Sequence, residues 1–125
     1  MKNKVAIIGC GAIFNRHVDS IINTSDFELS AVCDTQKLIA DSKSKKYNCS
    51  AFYSIENCLK KSNANFYVLA TPNSLHYEQA IKCIKAEKKV LIEKPATLNT
   101  KQLEEILKLS NDKNIDAYGV LQVRL

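Results

Sequence analysis

Short apolar runs alternate with stretches of helical periodicity along the whole of this 125-residue chain, and few folds accept that rhythm. Val5-Ala6-Ile7-Ile8 is an unbroken apolar run closed by glycine, which suits a strand buried on both faces. Phe14, Val18, Ile21 and Ile22 follow at helical spacing, and Asn23-Thr24-Ser25 ends that segment. Leu29 to Cys33 predicts a second strand, stopped by Asp34, and Gln36 to Tyr47 a second, more polar helix. A brief strand at Ala51 to Tyr53 and a short helix at Ile55 to Lys61 come next. In the second half, the strand Phe66 to Ala70 is broken by Thr71-Pro72. Tyr77, Ala80, Ile81 and Ile84 then line one helix face. Val90-Leu91-Ile92 is another buried strand, ended by Glu93-Lys94-Pro95. Leu103, Ile106, Leu107 and Ser110 mark the last helix, with Asn99 and Gln102 placed as a capping pair. A final strand is expected from Asp116 towards Leu125.

Alternation at this density predicts a parallel sheet with helices on both faces. Right-handed crossovers then leave a doubly wound α/β fold of three layers, α/β/α. Residues 1–119 are expected to form one such domain. The last apolar run, Tyr118 to Leu125, stops without a polar tail, so residues 120–125 are expected to begin a second domain.

Composition narrows the classes. Hydrophobic residues make up 46% and charged residues 25%, the balance of an ordinary globular protein. No run approaches the length needed to span a bilayer, and Lys2 and Lys4 flank too short an apolar run for a secretory signal. A cytoplasmic location without membrane attachment is the expectation. The five cysteines (Cys10, Cys33, Cys49, Cys58, Cys83) stand singly, with no CxxC or CxxH pair, which argues against a disulfide framework and against a metal site. Net charge is +5, yet the lysines are dispersed (Lys43, Lys45, Lys46, Lys60, Lys61, Lys88, Lys89) and do not join aromatics in one stripe. Solvated faces explain them better than a nucleic-acid partner.

Gly9-Cys10-Gly11 falls between the first strand and the first helix, where a Gly-x-Gly pair carries most meaning. Gly9 permits the tight turn, and Gly11, lacking a Cβ, lets the backbone approach a pyrophosphate. The helix beginning near Ala12 and Ile13 would aim its free N–H groups and positive end at that anion. The third glycine of the fingerprint is replaced by Phe14, so helix and strand must pack around a large ring. Asp34 ends the second strand about 20 residues on, where a carboxylate can accept hydrogen bonds from an adenosine ribose and repel a 2′-phosphate. Thr35-Gln36 follow, with no arginine to neutralise such a phosphate, so NAD is expected over NADP. These features make the doubly wound fold Rossmann-like.

Two strand ends complete the set. Thr71-Pro72-Asn73-Ser74-Leu75-His76 opens the helix after the fourth strand, at the carboxyl edge where open α/β sheets bind ligands. Asn73 or Ser74 there is equally a helix cap, and His76 equally a surface residue. Lys94, at the end of the fifth strand, is a fixed cation that can stabilise negative charge developing on an oxygen. A solvated strand-end lysine is the alternative.

Together these residues resemble the Gfo/Idh/MocA family of oxidoreductases. The resemblance rests on Ile8-Gly9-Cys10-Gly11, Arg16-His17, Asp34, Thr71-Pro72-Asn73-Ser74-Leu75-His76 and Leu91-Ile92-Glu93-Lys94-Pro95. It implies a two-domain dehydrogenase that moves a hydride between NAD(P) and a carbon of a sugar, polyol or nucleotide sugar, in a homo-oligomer. By that resemblance Lys94 is the catalytic lysine beside nicotinamide and substrate. Gly9, Gly11, Ala12, Ile13, Asp34, Thr71, Asn73, His76, Glu93 and Lys94 bind cofactor. The ending Gln122-Val123-Arg124-Leu125 resembles members that oxidise the 3-position of a nucleotide-linked N-acetylglucosaminuronic acid, with Gln122 and Arg124 near substrate. The acid/base histidine of the family's second domain has no counterpart here, so the chain alone is expected to lack turnover. A non-catalytic dinucleotide sensor on the same fold is the rival reading, which Glu93 and Lys94 disfavour.

Overall fold

In the computed structural model, which describes residues 3–11, 13–92 and 99–119, the apolar runs become strands and the periodic segments helices. In chain order these are β1 (Asn3–Ile8), α1 (Phe14–Ile22), β2 (Phe27–Cys33), α2 (Lys37–Tyr47), β3 (Ser50–Phe52) and α3 (Ile55–Lys61). The second half contributes β4 (Phe66–Leu69), α4 (His76–Lys85), β5 (Lys89–Ile92), α5 (Thr100–Lys113) and β6 (Ala117–Gly119). A 3₁₀ turn, Asn73–Leu75, precedes α4. Asn99 and Gln102 close the predicted capping box at the start of α5.

The sheet runs β3-β2-β1-β4-β5-β6, and each of these neighbouring pairs is parallel. Strand alternation divides its side chains between two cores. Val5 and Ile7 pack with Phe14, Val18 and Ile21 of α1, and with Val32 and Val68. Ala6 and Ile8 face the other way, with Ile55 and Cys58 of α3, Ala80, Cys83 and Ile84 of α4, and Ile106 of α5. The expected three-layer, doubly wound Rossmann-like arrangement is therefore present. Among the described residues no helix is long and apolar enough to cross a membrane.

The first two strands begin earlier than their apolar runs, at Asn3 and Phe27. Polar pairing extends them: the Asn3 N–H donates to the Asp26 carbonyl at 2.8 Å, and the Lys4 N–H donates to Asn65 Oδ1 at 2.8 Å. The register shifts between Val5 and Ala6, so that Val5 faces Leu29 and Ala6 faces Ala31. Ser30 is the residue left over, and its hydroxyl donates to the Val5 carbonyl at 3.3 Å. This local bulge leaves the carboxyl ends of β1 and β2 level, with Ile8 opposite Cys33. Because β1 lies between β2 and β4, chain order reverses at that point and opens a crevice at the carboxyl ends of these strands.

Candidate dinucleotide cleft

A cleft of about 330 Å³ occupies that crevice. Its floor is Ile8 and Gly9-Cys10-Gly11. One rim is Cys33 to Gln36 with Ser54 and Ile55, and the other is Ala70 to Pro72 with Leu75 and Gln79. The two glycines do different work. Gly9 has φ +99°, a conformation side chains rarely adopt, and a Cβ there would stand 2.8 Å from the Ala70 carbonyl carbon and oxygen. Its N–H donates to the Cys33 carbonyl at 2.7 Å, and the Ala70 N–H donates to the Ile8 carbonyl at 2.8 Å. Gly9 thus closes β1 against both neighbours. A Cβ on Gly11 would meet nothing within 4 Å. Its bareness serves no packing need and leaves open the space that a phosphate would fill.

Asp34 locks the opposite rim. Its carboxylate accepts from the Cys10 N–H at 3.0 Å through Oδ2 and from the Gln36 N–H at 2.8 Å through Oδ1. Its own N–H donates to the Phe52 carbonyl at 3.1 Å, tying the ends of β2 and β3 together. Each oxygen keeps lone pairs for ligand hydroxyls. Lys37, next along the chain, has its ammonium 5.4 Å from the Tyr53 ring centroid.

The Cys10 thiol lies under the loop, 3.7 Å from the Cys33 carbonyl oxygen. Burial, reinforced by the Asp34 charge, pushes it from 9.0 up to about 12, so it is a neutral packing group at physiological pH. All five cysteines are free. Phe14, in the place of the fingerprint's third glycine, is fully buried, with the Tyr47 ring 5.9 Å away and the Lys43 ammonium 5.2 Å from its centroid. The ring is accommodated as a core residue behind the loop.

The β4–α4 turn is braced from behind. His76 is 1% exposed, and its Nε2 donates to the Thr71 carbonyl at 2.8 Å. It acts on the cleft through Thr71 and is not one of the residues that line it. The Thr71 hydroxyl donates to Gln79 Oε1. Leu75 is the N-cap of α4 and makes no side-chain cap hydrogen bond. Ile13 caps α1 by backbone alone and does not line the cleft.

Of the expected site residues, Gly9, Gly11, Asp34 and Thr71 are brought together on one cleft. The Asn73 backbone belongs to the 3₁₀ turn, and its side chain is not described. Ala12, Glu93, Lys94, Gln122 and Arg124 lie outside the described residues. Ser54, Ile55 and Gln79 line the cleft without a motif to announce them, and Leu75, inside the Thr71–His76 motif, lines it without having been among the expected site residues. The available signals were weak: Ser54 as a helix cap at a strand end, and Leu75 and Gln79 one turn apart. Among the described residues no group of three His, Cys, Asp or Glu side chains is placed to hold a metal.

Residues 3–119 match the Gfo/Idh/MocA family, described as an oxidoreductase family with an NAD-binding Rossmann fold. Scyllo-inositol 2-dehydrogenase (NADP(+)) IolU of Bacillus subtilis is 34% identical over 105 residues, covering 83% of this chain and 32% of that protein. The WlbA dehydrogenase from Bordetella pertussis, solved with NADH and UDP-GlcNAcA, superposes with a TM-score of 0.90 at 28% identity. That match covers 96% of this chain and 37% of that one. An NAD-binding protein from Listeria innocua gives a TM-score of 0.89 at 26% identity, over 96% of this chain and 35% of that one. The chain spans about a third of the length of the relatives it matches. With the glycine loop, the Asp34 rim and the family match in agreement, the chain belongs to the Gfo/Idh/MocA oxidoreductases and comprises their NAD(P)-binding Rossmann domain.

Proposed function

We propose that the cleft binds NAD in preference to NADP, and that the enzyme to which these residues belong oxidises or reduces a hydroxyl-bearing carbon of a sugar, polyol or nucleotide sugar. The observation that carries the cofactor reading is the Asp34 carboxylate, bonded to the glycine loop at Cys10, next to the open space at Gly11. A pyrophosphate against Gly9, Gly11, Ala12 and Ile13 would leave the adenosine ribose at Asp34. A 2′-phosphate there would meet that carboxylate. Two unit charges about 4 Å apart cost up to roughly 4 kcal/mol at an effective dielectric near 20. The inositol dehydrogenase relative carries NADP in its name, so this preference belongs to the rim of the present chain.

The bound nicotinamide supplies the hydride acceptor or donor. Asn73 and Glu93 would contact its side of the cleft, and Thr71, braced by His76, would hold the cofactor elsewhere along the cleft. Lys94 would fix the substrate hydroxyl and stabilise negative charge on its oxygen. Gln122 and Arg124 would contact substrate, and residues from 120 onward would open a second domain that covers the site in a homo-oligomer. The relatives named for an inositol and crystallised with a nucleotide sugar support that substrate class. Calorimetric titration with NAD and NADP tests the cofactor reading. NAD should bind with the lower dissociation constant, and tighter NADP binding overturns the preference.

A further inference from the structure

Leu75 and Gln79 stand one helical turn apart and both line the cleft. Leu75 is 42% exposed, an apolar side chain left at the rim, and Gln79 is half-buried. The Gln79 amide does not rotate freely. Its Oε1 accepts the Thr71 hydroxyl, while the Thr71 carbonyl is held by the buried His76. That chain of hydrogen bonds keeps the oxygen of the amide towards Thr71. It leaves the Nε2 group, with two donors, and one further lone pair on Oε1 for a ligand. Ile55 stands on the other rim, beyond Asp34. This part of the cleft thus offers apolar surface beside an oriented amide.

We propose that Gln79 recognises the edge of the adenine base. A ribose at Asp34 with its phosphates at the glycine loop directs its base away from that loop, towards Ile55, Leu75 and Gln79. A purine has apolar faces and an edge that pairs an acceptor, N7, with a donor, the 6-amino group. A glutamine amide matches both at once. Thr71 is the positioning residue that presets the amide, and His76 supports Thr71. The inference rests on the dinucleotide reading above and adds the residue that selects the base.

The test is calorimetric titration of the 125-residue chain with NAD and with nicotinamide hypoxanthine dinucleotide, in which a 6-oxo group replaces the amino group. The wild-type chain should prefer NAD by about tenfold, the size of one base-edge discrimination. Gln79→Met should weaken NAD more than the analogue and so narrow the preference, because the analogue keeps N7 as an acceptor but lacks the 6-amino donor that Oε1 would accept. Thr71→Val, which deletes only the orienting hydroxyl, should narrow the same preference, whereas Thr71→Ser should keep it. Equal weakening of both ligands in Gln79→Met would mean that Gln79 merely props the turn, and would overturn the proposal. So would a wild-type chain with no preference, a measurement that needs no variant to fold. If the wild-type chain binds neither dinucleotide, the cofactor reading itself falls.

Discussion

Asp34 and Cys10 are joined across the mouth of the cleft, the Cys10 N–H donating to Asp34 Oδ2 at 3.0 Å. The carboxylate that would face a ribose therefore also holds the loop that would face the phosphates. Binding and local order are coupled at this one side chain, since its other oxygen holds the Gln36 N–H.

Asp34→Ala should accordingly show two effects. Leaving two backbone donors without their charged acceptor costs about 1–3 kcal/mol of stability, read by urea denaturation. NAD affinity should fall with it, and the gap between NAD and NADP should close. A variant that loses affinity for both cofactors equally would show that the carboxylate does not discriminate between them.

The two glycines should respond oppositely to the same added methyl group. Gly9→Ala forces a side chain into positive φ and against the Ala70 backbone, a cost of at least about 1–3 kcal/mol. Gly11→Ala meets no protein atom and should leave the melting temperature unchanged or slightly higher. Gly11→Val should nevertheless abolish dinucleotide binding. Unchanged affinity in a folded Gly11→Val would mean that the open space at the loop is not a ligand site.

Alkali should destabilise the domain in a specific window. Burial raises the Cys10 and Cys33 thiols from 9.0 to about 12 in the folded state. Above pH 9 the unfolded chain releases these protons while the folded chain keeps them. Stability is therefore whole below pH 9 and falls between pH 9 and 12. Urea midpoints across this range check the slope, and Cys33→Ala should flatten it. A flat profile in the wild-type chain would show that these thiols ionise as freely folded as unfolded.

The order of elements was legible because the central strands β1 and β4 bury both faces while the helices bury only one, so their periods differ clearly in the sequence. Gly9, Gly11 and Asp34 were legible because a strand-to-helix turn and a strand end place them at one sheet edge. Phe14 was harder, because its fit depends on Tyr47 and Lys43 of α2, which no local pattern connects to it. Gln79 could be placed on a helix face, but nothing in the spacing indicates that this face meets the end of β4. His76 carries a motif position but is buried beneath Thr71, a distinction between contact and support that only the folded geometry draws.

Turnover is a separate matter from binding. The 125-residue chain incubated with NAD and a panel of sugars, polyols and nucleotide sugars should give no reduced cofactor by absorbance, because positioning of substrate and a general base are each worth several decades. Turnover that disappears in Lys94→Ala would place the complete active site within these residues.

Amide NMR of the 125-residue chain titrated with NADH locates the dinucleotide site itself. Saturable binding should shift the resonances of Gly9, Cys10, Gly11, Asp34, Gln36 and Thr71 most, since they surround one cleft. Saturable shifts centred elsewhere, or no shift at millimolar NADH, would contradict the assignment of this cleft as the dinucleotide site.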